Sequence, residues 1–183
     1  YSVNTGSVGM INGEVITTLF IEFNGLTCPG TGNQAIGIGA STSPAYITQI
    51  TTQKNGIVYR GEMICVEVGT GSNISNVIDL VANTSDNIDP GEDATAGTSS
   101  VLIDKDGSYN LGEMRTFDSS TITTDSGGDT ILNPAGTIPD GGMQGRYLYL
   151  SVGSSSQSGG AYTAGKYIIR LYGAPTENLT DIS

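Results

Sequence analysis

The sequence predicts an all-β protein, a β-sandwich of jelly-roll type, and three observations carry that expectation. β-Branched Ile, Val and Thr recur in short runs, Gly, Asn, Asp and Ser bound those runs, and several runs alternate apolar and polar residues with a period of two. Charged residues make up 14% of the 183 and hydrophobic ones 37%, and the 27 glycines favour many turns over long helices. One domain accommodates this length, with an N-terminal arm over residues 1–13, a sandwich body over 14–175 and a C-terminal tail over 176–183.

The first strong strand spans residues 14–23, with Val15, Thr17, Leu19, Ile21 and Phe23 on one face and Ile16, Thr18, Phe20 and Glu22 on the other. Apolar residues on both faces place it in the middle of a sheet. After turn-rich residues 24–33 come a light strand at 34–40 and a third strand at 45–52. Gln53-Lys54-Asn55-Gly56 reads as a hairpin turn, because Asn-Gly takes the positive φ angles of tight β-turns. The longest strand follows at 57–68, with Gly61 as a candidate bulge or bend.

Residues 77–82 form a short strand, and the polar, acidic stretch 83–99 is expected as a long loop. Weaker strands are expected at 100–103 and 129–132. The alternation of 146–152 and 166–172 across a Gly/Ser loop at 153–160 reads as a terminal hairpin, stopped by Gly173-Ala174-Pro175. No fixed period repeats, which argues against solenoids and propellers.

A net charge of −11 disfavours nucleic acid as a partner, since phosphate is repelled. No apolar run approaches the roughly 20 residues of a membrane-spanning helix, so no membrane partner is expected. The chain contains no histidine, which removes the usual general base and metal ligand, and no tryptophan for a sugar-stacking cleft. No catalytic residue and no cofactor is expected. With only Cys28 and Cys65 and no histidine, a structural zinc site is excluded, while a disulfide between the two remains open.

Asp104, Asp106, Asn110 and Glu113 form a fragment of a calcium loop around Gly107, against the simpler reading of an Asp-Gly turn. Asp86, Asp89, Glu92 and Asp93 offer a second cation site or a solvated loop. Asn73, Asn83 and Asn178 each begin an Asn-x-Ser/Thr acceptor pattern. Tyr147, Tyr149, Tyr167 and Tyr172 suit half-buried sheet positions or subunit contacts, and the second face of the last strand adds Ile168 and Arg170 to Tyr147, Tyr149 and Tyr172 as interface candidates.

Arg146-Tyr147-Leu148-Tyr149-Leu150, the Gly/Ser loop and the run from Tyr162 to Gly173, together with Ile36-Gly37-Ile38-Gly39 and Ser43-Pro44-Ala45-Tyr46-Ile47-Thr48, resemble small virion proteins of tailed phages, especially marine podovirus-like ones. The resemblance covers about half the chain. It implies a non-enzymatic β-sandwich that decorates or cements the capsid, bound to the major capsid protein on the virion surface and self-associating, often as a trimer. Two other classes fit the composition. One is a secreted filament or surface-layer subunit that donates a terminal strand, and the other is a calcium-dependent carbohydrate-binding sandwich.

Overall fold

The computed structural model describes residues 3–11, 13–39, 44–118, 122–124, 130–132, 142–153 and 159–175. Its elements in chain order are β1 (Val3–Ile11), β2 (Glu14–Glu22), β3 (Leu26–Cys28), β4 (Gly37–Ile38), β5 (Thr48–Gln49), α1 (Thr52–Asn55), β6 (Ile57–Ser72) and β7 (Ile78–Asn83). Then follow β8 (Ser99–Ile103), β9 (Met114–Asp118), β10 (Ile122–Thr124), β11 (Thr130–Leu132), β12 (Tyr147–Val152) and β13 (Gly160–Ala174).

The larger sheet is organised around β13, which is long enough to be flanked by β6 on one side and by β2 and then β3 on the other. The bend between β2 and β3 keeps its hydrogen bonds to β13, through Phe23 N to Gly165 O and Gly25 N to Tyr162 O, both 2.9 Å. Outside these lie β1 on β2, β4 on β3 and β9 on β6, every pairing antiparallel. The smaller sheet has the order β5-β12-β7-β8, and β10 pairs with β11.

The two sheets close on one core. Leu19, Ile21 and Phe23, Met63 and Cys65, and Tyr167, Ile169 and Leu171 from the larger sheet meet Ile78, Leu80 and Ala82 and Leu148, Leu150 and Val152 from the smaller. Alternate residues of a strand point to opposite faces, so the strand periods in the sequence select these inward residues directly. The smaller sheet is also covered on its far side, where Val81 and Tyr149 pack with Ala35, Ala45, Ile88 and Ala94. Both faces of β7 are therefore buried along its whole length. What the strand order establishes is a two-sheet antiparallel sandwich, and the jelly-roll type expected from the sequence goes beyond it.

Several pairings differ from expectation. Residues 146–152 and 166–172 form no hairpin: β12 lies between β5 and β7 in one sheet, and β13 between β2 and β6 in the other. Each strand has an apolar face that the core claims, and those faces lie in different sheets. Gln53 to Gly56 likewise form no β-turn. The short helix α1 carries the chain from the smaller sheet to the larger, with Thr51 Oγ1 accepting from Lys54 N and the positive φ of 66° falling on Gly56. Asn55 is fully buried there, its Nδ2 donating to Thr17 Oγ1 at 2.9 Å and its Oδ1 accepting from Thr51 N at 2.9 Å.

The 34–40 segment is divided between the sheets. Ala35 bridges to Ser151 beside β12, and Gly37–Ile38 pairs with β3. Of the strand expected at 45–52, only Thr48–Gln49 is a strand. Residues 1–13, expected as an arm, contribute β1 to the chain's own sheet, while 176–183 lie outside the described residues. Strands β3 and β9 come from segments read as turns and connections.

Gly61 is not a bulge site: the extra residues of β6 fall between Thr70 and Glu67, between Glu67 and Cys65, and between Arg60 and Val58, opposite Ala164–Lys166, Lys166–Tyr167 and Tyr172–Gly173 of β13. It makes room instead, since a Cβ at Gly61 would run into the Phe117 ring and the Arg170 carbonyl. Gly61→Ala is expected to cost about 1–3 kcal/mol by overpacking, read as a lower urea midpoint. An unchanged midpoint would show that Phe117 does not fill this space.

Candidate functional site: the outer face of the larger sheet

The outward residues of four adjacent strands, β2, β13, β6 and β9, line up in rows across the larger sheet. Register places Ile16, Tyr172, Arg60 and Asp118 in one row, and Thr18, Arg170, Glu62 and Thr116 in the next. The third row is Phe20, Ile168, Ile64 and Met114, and beyond it Glu22, Lys166 and Glu67 follow in order. The third row is apolar from end to end, with Phe20 44% and Met114 51% exposed and Val66 beside it 41% exposed.

Charged rows flank it, and each of the two nearest rows holds an ion pair. Arg170 Nη1 lies 2.8 Å from Glu62 Oε1, and Lys166 Nζ 2.9 Å from Glu67 Oε2. Arg60 pairs with Glu14 at 3.5 Å and sits over the Tyr172 ring at 3.7 Å. The hydrogen bond to Glu67 raises the Lys166 pKa, and the one to Glu62 raises that of Arg170, so both cations are held charged by their partners.

The opposite side of the sandwich has a different character. The 84–98 loop, expected as a long one, lies over the smaller sheet through Ile88 and Ala94. It carries Asp86, Asp89, Glu92 and Asp93 and no cation. Asp89, Glu92 and Asp93 edge an open depression of about 730 Å³. The loop's own backbone engages two of these carboxylates: Glu92 accepts from Asp89 N at 2.9 Å and Asp93 from Thr95 N at 2.8 Å. These are turn contacts, and the acidic run serves the loop's shape.

The five expected interface residues fall into two groups on different sheets. Ile168, Arg170 and Tyr172 are half-buried on the outer face described above. Tyr149 is fully buried beneath the long loop, its OH donating to Ser85 O at 2.8 Å, so it is unavailable as a contact residue on the surface. Tyr147 packs against Tyr46, ring centroids 5.0 Å apart. Sequence reading missed Phe20, Ile64 and Met114 as parts of a surface. The signal in Phe20 and Ile64 was an apolar residue on the second face of a strand; Met114 lies in a strand that went unrecognised.

The calcium-loop fragment is not gathered around a cation. Asp104, Asp106 and Asn110 are exposed, whereas Glu113 is bound to Lys105 Nζ at 3.0 Å and Arg115 Nη2 at 2.9 Å. The backbone N–H of Asn110, then Lys105 and Arg115, hold the Glu113 carboxyl down to about 2. Among the described residues no group of three or more Cys, Asp or Glu is arranged to hold a metal. A chelator is therefore expected to leave the melting temperature unchanged, and a drop of several degrees on adding EDTA would restore a calcium-dependent reading.

Of the acceptor patterns, Asn73 is exposed, Asn83 is fully buried with Nδ2 donating to Ala94 O and Ala96 O at 2.8 Å each, and Asn178 lies outside the described residues. Cys28 and Cys65 are buried free thiols. No family model, no curated protein and no solved structure matches the chain.

Proposed function

We propose that this chain is a non-enzymatic structural subunit that works by surface contact, a decoration or cement protein of a tailed-phage capsid with the major capsid protein as its partner. The observation that carries the reading is the outer face of the larger sheet. A row of four partly or largely exposed apolar residues lies between rows that each hold an ion pair, on a protein of net charge −11. Covering a half-exposed Phe or Met contributes roughly 1 kcal/mol each, set against the desolvation of the ion pairs beside them. The resemblance of the 146–173 region to small phage virion proteins supplies the assembly. Heads of the encoding phage, assembled without this chain, are expected to bind it saturably and carry it into the pellet on sedimentation. A chain that stays in the supernatant at all ratios removes the virion reading.

One observation favours a second reading, assembly by strand exchange. β1 is the outermost strand of its sheet, and residues 3–11 contain no charge and no proline, the usual guards of an exposed edge. A ladder of growing polymers in solution would favour it over capsid decoration.

A further inference from the structure

We propose that the outer face of the larger sheet receives a second copy of this chain, stacked sheet on sheet about a two-fold axis that runs parallel to the strands between β6 and β13. The inference rests on the reading of this face as an assembly surface and names a second copy as what covers it, so that the capsid protein is met by another face of the dimer. Rotation about such an axis carries β13 of one copy over β6 of the other, and β2 over β9. Row by row, Ile168 then meets Ile64, Phe20 meets Met114, and Thr18 meets Thr116. In the flanking rows Arg170 meets Glu62, Lys166 meets Glu67, and Tyr172 meets Arg60.

The charge pattern selects this axis. The ion pairs Arg170–Glu62 and Lys166–Glu67 and the Arg60–Tyr172 stacking each span β6 and β13, while Arg60–Glu14 joins β6 to β2, so an axis between β6 and β13 turns those three pairs into the same pairs between copies. A two-fold axis across the strands through the apolar row would set Arg170 over Lys166 and Glu62 over Glu67. An axis along β13 would set Arg170 over itself. Like charges placed face to face oppose association, so these arrangements are disfavoured. The contact is isologous and closes at two copies, with the sheets crossing at about 30° because each is twisted. The acidic 84–98 loop lies on the far side of each copy, away from the contact.

Light scattering on the full chain is expected to give a dimer. Arg170→Glu alone and Glu62→Arg alone should each weaken self-association by on the order of 100-fold, since each sets like charges over one another at two places. Mixed together, the two variants should restore a dimer containing one of each, because each variant's changed row then meets its complement. A double variant, Phe20→Cys with Met114→Cys, gives an independent readout. Its two thiols are three strand spacings apart in one chain, roughly 14 Å, but face each other across sheets stacked roughly 10 Å apart, too far for a direct disulfide and within reach of a bismaleimide of about 8 Å span. Dimers cross-linked by that reagent on a denaturing gel support the arrangement. A wild-type monomer or trimer, a mixture that forms no mixed dimer, or a double cysteine variant that stays monomeric overturns it. A monomer that sediments with phage heads overturns the dimer and leaves the virion reading standing; a dimer that ignores the heads does the reverse.

Discussion

Phe23→Ala is expected to lower the unfolding free energy by about 3–5 kcal/mol, the largest effect of any single substitution considered. Phe23 directly follows β2 and is fully buried at the point where the chain bends toward β3. Its ring lies 4.9 Å from those of both Tyr162 and Tyr167, edge-on to the first and tilted against the second, and Tyr109 continues the cluster at 5.3 Å from Tyr167. Deleting it opens a cavity bounded by rings that cannot collapse inward, because β13 on one side and the β2–β3 bend on the other are tied by main-chain hydrogen bonds. Chemical denaturation reads the loss, and near-ultraviolet dichroism, which here reports tyrosines without tryptophan, should weaken with it. A cost below about 1 kcal/mol would mean the cluster is not packed as described.

The second large effect is a fall in stability as pH rises from 4 to 7. Asp79 is 4% exposed on the far side of the smaller sheet, paired across strands with Ser151. Burial pushes its carboxyl up to about 7, against the pull of the hydrogen bond from Lys105 N, and the charges of Asp104 and Asp106 add to the rise. In the unfolded chain the group titrates near 3.8. Below that value both states are protonated and the group contributes no pH dependence. Between 3.8 and about 7 the folded state holds a proton that the unfolded state has released, so stability falls with rising pH, by up to about 4 kcal/mol. Above 7 the slope ends.

Glu113 acts in the opposite sense. Its carboxyl is lowered from 4.5 to about 2, so its contribution is present above 4.5 and lost as pH falls toward 2. Together the two groups place the stability maximum near pH 4–5. Asp79→Asn keeps an acceptor for Lys105 N and should remove the decline between pH 4 and 7. Parallel stability profiles for wild type and variant would sink the assignment to Asp79.

Much of the fold was legible from alternation alone. Leu19, Ile21 and Phe23 share one face as expected, the one that meets the core, and residues 57–68 and 166–172 form the long strands foreseen for them. The 84–98 stretch is a connection, as its Gly, Asp and Thr content implied. Strands β3 and β9 were hidden because Leu26–Cys28 and Met114–Asp118 are short and borrow their order from long neighbours, β13 and β6. Of the candidate site, Ile168, Arg170 and Tyr172 were legible as one face of one strand. Tyr149 was misread because alternation reports two faces without saying what covers each, and its outer face lies under the long loop.

The sequence by itself determined the all-β class, the two faces of the strands it identified and the acidic net charge. These follow from residue type and from a period of two, which act over a few residues. Only the tertiary structure decided which strands pair, that 146–152 and 166–172 part into different sheets, and that Phe20, Ile64, Ile168 and Met114 form one row. Pairing and register depend on which apolar faces can be buried together, and those faces come from strands separated by up to about 150 residues, beyond the reach of any local pattern.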